Sequence, residues 1–203
     1  MQQYLNDVSR AVEAWVEENF KSADSRADKL YEAMKYSLIA GGKRLRPALV
    51  LMGYDLFDAR PVNTSHPALS YGVAAEMIHT YSLIHDDLPG MDDDDTRRGK
   101  PTNHIIYGVA GAILAGDGLL TKAFELFLSG NIAIERKALA ALIMAKAAGP
   151  DGMVAGQYVD MAAQGEGDML EKARLADAIA SNSTALVSYI NTNKTAALMS
   201  RSH

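Results

Sequence analysis

The chain has no cysteine among its 203 residues, which excludes disulfides, thiolate zinc sites and a cysteine nucleophile. It has no excess of basic charge either. A net charge of −5 and a pI near 5.5 leave no electrostatic footprint for DNA or RNA, so no nucleic-acid partner is expected. The first residues, MQQYLNDVSR, lack the basic start and apolar core of a signal peptide, and with the missing cysteines this sets the expectation of a cytoplasmic protein. The most apolar stretches, IIYGVAGAILAG and ALAALIMAKAAG, are shorter or more interrupted than the roughly 20 helical residues a bilayer span needs. No stable membrane insertion is therefore expected. Strand-type alternation, internal repeats and low-complexity tracts are also lacking.

What remains is an ordinary globular composition, 48% hydrophobic and 22% charged, long enough for one sizeable core and a single domain over 1–203. Leu5, Val8, Val12, Trp15 and Val16 predict a first helix over residues 1–20. A second starts near Asp24 or Ser25 and ends at Gly41-Gly42. Further helices are expected at about 47–57, with Pro47 first, at 67–88, 104–129 and 131–149, from GPDGMVAGQYVDM onward, and over 169–181 and 183–200. The expected fold class is all-α, a helical bundle around a central cavity.

The chemistry concentrates in HDDLPGMDDDDTRRGKPTNH, residues 85–104. Asp86, Asp87, Asp92, Asp93, Asp94 and Asp95 fall within ten residues and are followed by Arg97, Arg98 and Lys100. Two unit charges about 4 Å apart near a protein surface repel by roughly 4 kcal/mol, so converging carboxylates need cations or protons. Mg²⁺ suits them, because it is held by one or two carboxylates plus substrate phosphates. Guanidinium forks match phosphate oxygens. A run of like charge is ordinarily just solvated. Here, however, Asp86 and Asp87 end an apolar helix, Pro89 and Gly90 turn the chain back, and bases follow at once. Together they suggest Mg²⁺-dependent chemistry on a phosphate or diphosphate ester.

A second basic cluster lies in GGKRLRP, where the helix boundary explains the glycines and Pro47 but not Lys43, Arg44 and Arg46 ahead of a helix N-terminus. Upstream of the acidic segment, His79 is two helical turns before Asp86 and on the same face, with Ser82 one turn below it. Glu76 and His79 read equally as satisfied core groups. Gln157 and Asp160 share one helix face.

In order, GGKRLRP, EMIHTYSLIHDDLPGMDDDDTRRGKPTNH, GQYVDM and NKTAAL resemble the trans-isoprenyl diphosphate synthases of the bacterial farnesyl diphosphate synthase type. The resemblance runs from about residue 28 to 199. It implies an isoprenoid synthase-like all-α fold, usually a homodimer. The reaction it implies is ionisation of a C5 or C10 allylic diphosphate, attack by isopentenyl diphosphate and loss of a proton, giving farnesyl diphosphate. Carried over by position, Asp86 and Asp92 are Mg²⁺ ligands, with Asp87 and Asp93 supporting. Arg97, Lys194 and Thr195 hold the allylic diphosphate. Lys43, Arg46, His79 and Arg98 hold isopentenyl diphosphate, while Tyr81 and Ser82 near the cavity floor limit product length.

The family pattern continues with a second aspartate-rich motif, DDxxD, downstream of the Lys-Thr pair, whereas no adjacent carboxylate pair follows Lys100 here. The chain is therefore expected to lack the usual C-terminal part. Ala196 stands where the family usually has Gly. Two other readings stay open: a non-catalytic synthase-like subunit, and an HD-type metal phosphohydrolase suggested by His85-Asp86.

Overall fold

Apolar spacing builds the first helix: Val8, Val12 and Val16 recur every fourth residue and are fully buried in α1 (Gln2–Asn19). The computed structural model describes residues 1–130, 132–163 and 184–196, and the chain divides into two compact units between Ala138 and Leu139. In the first unit a 3₁₀ turn, Ser25–Ala27, is opened by Asp24 Oδ1, which accepts from the Arg26 amide at 2.9 Å. It leads into α2 (Asp28–Leu38), α3 (Leu45–Asp55), α4 (Leu69–Asp86) and α5 (Asn103–Ser129). Helix α6 (Ile134–Ala148) crosses the division. The second unit holds α7 (Met153–Ala163), a helical run at 184–190 and a π-helical turn, Asn191–Ala196. The helix expected over 169–181 and the end of the one expected over 183–200 lie outside the described residues.

Helix α4 organises the first unit. It is apolar on nearly all faces, as a helix enclosed by others must be, and it packs against α5, α3, α2 and α1. Leu69, Val73, Met77 and Ile78 are essentially inaccessible, and burying each such side chain stabilises the fold by about 1.5–3 kcal/mol. Two glycines set the close approaches. A Cβ on Gly72 would stand 3.1 Å from Pro47 Cα on α3, and one on Gly116 of α5 would overlap the His85 ring of α4.

Three expectations need correction. Helix α3 begins at Leu45, so Pro47 is its third residue; an amide there would have no intrahelical partner anyway, and proline is tolerated. Strand pairing does occur: Thr96–Arg97 (β1) pairs antiparallel with Lys100–Pro101 (β2). Arg98 at φ 54° and Gly99 at φ 76° supply the two positive-φ positions of a type I′ turn. Finally, the apolar stretch thought too short for a bilayer lies in one helix of 27 residues with a mean hydropathy of 1.3 in its most apolar window. The run Ile134–Ala163 meets the same test of length and composition. In α5 the regular helix is interrupted at Gly108, φ 76°, and its Ala112, Ala115, Gly116, Leu119 and Ala123 are buried, which is how a core helix also meets that test.

Candidate active site

The acidic segment begins where α4 ends. Leu88 donates to the His85 carbonyl, Met91 to Leu88, and Asp92 N–H to the Asp86 carbonyl at 2.8 Å. The Pro89-Gly90 turn thus folds Asp92 back onto the helix end. Asp86 is half-buried there, whereas Asp92, Asp93, Asp94 and Asp95 are exposed. Asp93 sits at φ 52°.

Asp87 is different. It is buried, and Arg97 binds it in a fork, Nε at 2.8 and 3.0 Å from its two oxygens and Nη2 at 2.6 Å from Oδ1. Burial pushes the Asp87 carboxyl up, more than Arg97 pulls it down; the same hydrogen bond raises the guanidinium. The β1–β2 hairpin presents Arg97 to this carboxylate, and Asp94 stands 3.9 Å from it on the other side. The structure therefore engages Asp87 with a cation of the chain itself.

Beside this pair lies a cluster of basic groups. Gly41 at φ 89°, Gly42 at φ 126° and Arg44 at φ 49° form a loop in the left-handed region, tolerable for glycine and strained for arginine. Arg44 is driven inward: its side chain is 1% exposed and donates from Nη1 to Glu76 Oε1 at 2.8 Å. Its Nε and Nη2, and Arg46 Nε, are buried without a hydrogen-bond partner. Arg98 crosses from the hairpin and donates to the Gly41 carbonyl. A Cβ on Gly42 would meet the movable Arg98 Nη1 at 2.7 Å, but it is φ 126° that strains any other residue there. Lys43 is exposed on the same loop.

His79, one helical turn beyond Glu76, feels this cluster. Burial, then the charges of Arg46, Arg98, Arg97 and Arg44, pull its imidazole down to about 3. It is therefore neutral at pH 7 and a hydrogen-bonding group rather than a fifth cation. The unfolded chain takes up this proton near the ordinary histidine pKa of about 6.5 and the folded chain does not. The contribution of His79 to stability is thus fully present above about pH 6.5 and is lost as pH falls from there toward 3. The expected NMR result is a His79 ring signal that stays flat from neutral pH down to where the fold gives way; titration near 6.5 contradicts the assignment.

Deeper along α4, Tyr81 is buried and Ser82 half-buried, its Oγ donating to the His79 carbonyl at 2.8 Å. Burial, aided by Asp86, pushes the Tyr81 phenol up to about 12, so it stays neutral. The His85 ring lies edge-on to Tyr81 and its Nε2 is 3.1 Å from the Ile113 carbonyl. That contact ties α4 to α5 and leaves the HD-type reading without its histidine. A cleft of about 390 Å³, counting its open mouth, adjoins the Asp87–Arg97 pair and is lined among others by Tyr36, Thr80 and Asn103.

Sequence reasoning passed over several supports. Asn103 is buried and donates to Ala33 O at 2.8 Å and Ser37 Oγ at 2.9 Å, and Tyr36 OH donates to Pro101 O at 2.8 Å. These bonds anchor the RRGKPTN arm to α2. PTN next to the basic residues was the available signal, but nothing in a linear pattern identifies a partner about 70 positions away.

Lys194 belongs to the second unit and pairs with Asp160 of α7. Gly156 makes the seat, since a Cβ there would collide with the Lys194 backbone nitrogen. Both amide atoms of Gln157 are buried without a hydrogen-bond partner among the described residues. The Thr195 backbone lies in the π turn, and its side chain lies outside the described residues.

Among the described residues no three His, Asp or Glu converge as a ready-made metal cage. Mg²⁺ does not need one, because it completes its shell with water and substrate phosphate. Asp86 and Asp92, tied together by the turn, are oxygen donors of the right kind and number, so the residues present fit such an ion.

The polyprenyl synthetase family model matches residues 27–203. The chain belongs to the polyprenyl synthetase family. Within this family it is 50% identical over 178 residues to farnesyl diphosphate synthase of Geobacillus stearothermophilus, covering 86% of this chain and 58% of the relative. It is 44% identical over 175 residues to a chloroplastic geranylgeranyl pyrophosphate synthase of Capsicum annuum, covering 85% and 43%. The fold matches an apo FPP/GFPP synthase from Zymomonas mobilis with a TM-score of 0.83 at 35% identity, over 98% of this chain and 66% of that one. The chain thus has the isoprenoid synthase helical fold and spans about half the length of the curated relatives it matches.

Proposed function

We propose that this chain carries the first aspartate-rich half of a short-chain prenyltransferase that condenses isopentenyl diphosphate with a C5 or C10 allylic diphosphate to give farnesyl diphosphate. The observation that carries the proposal is the adjacency, within one unit, of a metal-competent carboxylate turn and a desolvated arginine cluster. In this reading Asp86 and Asp92 hold Mg²⁺, Asp93 supports them, and Asp87 holds Arg97 in place. Arg97 receives the allylic diphosphate. Lys43, Arg46, Arg98 and neutral His79 receive isopentenyl diphosphate.

Heterolysis of the allylic C–O bond builds negative charge on the departing diphosphate. Mg²⁺ supplies charge neutralisation there when bound. The chain's own donors act in the same sense: guanidinium groups already oriented by Asp87 and Gly41 need no reorganisation when the charge appears. The double bond of isopentenyl diphosphate then attacks the allylic carbon, and a proton leaves. Apolar α4 residues around Tyr81 keep water from the cation.

A homodimer is supported by the outer face of α5, where Ile105, Ile106, Val109, Ile113 and Leu114 are 40–57% exposed, an apolar strip that a second copy would cover. We read 1–203 as one synthase domain of a cytoplasmic enzyme, supported by its cysteine-free composition.

Farnesyl and geranylgeranyl synthases match the chain at similar identity, so identity does not set the product length; in this reading the buried ring of Tyr81 on α4 does. Incubation of the chain with Mg²⁺, isopentenyl diphosphate and a C10 allylic diphosphate is expected to yield a C15 product by mass. Persistent absence of any condensation product contradicts the reading. In the same assay Tyr81→Ala is expected to shift the product to C20 or longer, since removing a buried ring opens the floor; an unchanged C15 product removes Tyr81 from this role.

A further inference from the structure

Glu76 lies one turn before His79 on α4, and nothing in the reaction above requires it. It is buried, 4% exposed at its side chain, between the buried Ala75 and Met77 of a mostly apolar helix. A buried carboxylate needs a reason, because desolvating it is unfavourable unless a cation and hydrogen bonds compensate. Its direct partner is Arg44, which turns inward from a left-handed backbone position to reach it.

The pairing is incomplete on the arginine side, as Nε and Nη2 of Arg44 find no acceptor. Moreover, the charge of Glu76 reaches beyond Arg44. It is a favourable partner for both Arg46 and Arg98. Among the described residues Arg98 donates to a backbone carbonyl, and Arg46 Nε finds no acceptor. Arg97, by contrast, has Asp87 to itself.

We infer that Glu76 is the resident counter-ion of the Arg44, Arg46 and Arg98 cluster: it keeps these cations together and competes electrostatically with an incoming diphosphate. The inference rests on the proposed diphosphate site and adds a tuning residue that need not touch the ligand. Its sign is unusual. A purely structural tie, once weakened, loosens the loop and lowers anion affinity. A counter-ion, once neutralised, leaves the cluster more positive and raises it. Gln is the discriminating replacement, because its carbonyl oxygen still accepts from Arg44 Nη1 while the charge is gone.

The test is calorimetric titration of the full chain with metal-free inorganic pyrophosphate at low salt, parent against Glu76→Gln. The variant is expected to bind about fivefold tighter or more, with a difference that shrinks in about 0.5 M salt. Without pyrophosphate its Tm is expected to fall by about 5 °C or more, and saturating pyrophosphate is expected to raise its Tm further than it raises the parent's. Equal or weaker binding by Glu76→Gln, with the parent binding normally, overturns the counter-ion role and leaves the anion site standing. No saturable binding by the parent overturns both. Should the variant be unfolded alone, the counter-ion role requires that pyrophosphate restore its helical circular dichroism, and failure to do so overturns it.

Discussion

Asp86→Ala is expected to lower Mg²⁺-dependent prenyl transfer by at least about a thousandfold without weakening metal-free pyrophosphate binding. The two outcomes separate because different parts of the unit do the two jobs. The Asp86 and Asp92 backbones are joined by one hydrogen bond across the Pro89-Gly90 turn, and removing one of the two proposed oxygen donors leaves the ion with water in its place. The anion-binding groups reach the same region from the GGKRLRP loop and the hairpin, held by Glu76, Gly41 and Asp87. Those hydrogen bonds run to Glu76, Gly41 and Asp87, and the Asp86 charge acts on Arg97 through space. Turnover in the variant at the parent rate, measured by product mass at saturating Mg²⁺, would contradict the ligand role of Asp86. Equal loss of metal-free pyrophosphate binding would show that the carboxylates and the arginines are not separable.

Arg44→Met is expected to destabilise the chain by about 3–5 kcal/mol, because it leaves Glu76 as a buried charge without its partner. That is a large share of the 5–15 kcal/mol that typically separates folded from unfolded chains. The urea midpoint should fall correspondingly, without an intact anion site surviving at elevated denaturant. The double variant Arg44→Met, Glu76→Met removes both charges and is expected to recover most of the loss, since two well-packed apolar side chains of similar volume replace a buried pair at little or no net penalty. If the single variant unfolds at the parent's midpoint, the inward Arg44 contributes nothing, and the left-handed backbone that places it lacks an explanation.

Much of this was readable before any coordinate. The valines of α1, the run from Leu69 to Ile84 and the alanine-rich α5 and α6 carry helical spacing strongly enough that existence and order of the helices followed. The acidic turn was readable because Pro89 and Gly90 have few conformations that continue a helix. Helix ends were less so. Arg44 as the residue before α3 could not be anticipated, because arginine at φ 49° is unfavourable locally and persists only through its tertiary partner. The same holds for the β1–β2 hairpin, whose Arg98 occupies a position ordinarily taken by Asn, Asp or Gly; it is held by contacts with Gly41 and Gly42, more than fifty residues earlier in the chain.

Residue types and spacing by themselves determined the all-α class, the place of the acidic turn and the kind of chemistry it suits, because those depend on local stereochemistry and on charge density along the chain. Tertiary structure alone decided which carboxylate faces which cation: Asp87 to Arg97, Glu76 to Arg44, Asp160 to Lys194. Carboxylates close in sequence are alike as text. They differ once folding buries one against a guanidinium and leaves another at the surface, since desolvation and pairing act through space rather than along the chain.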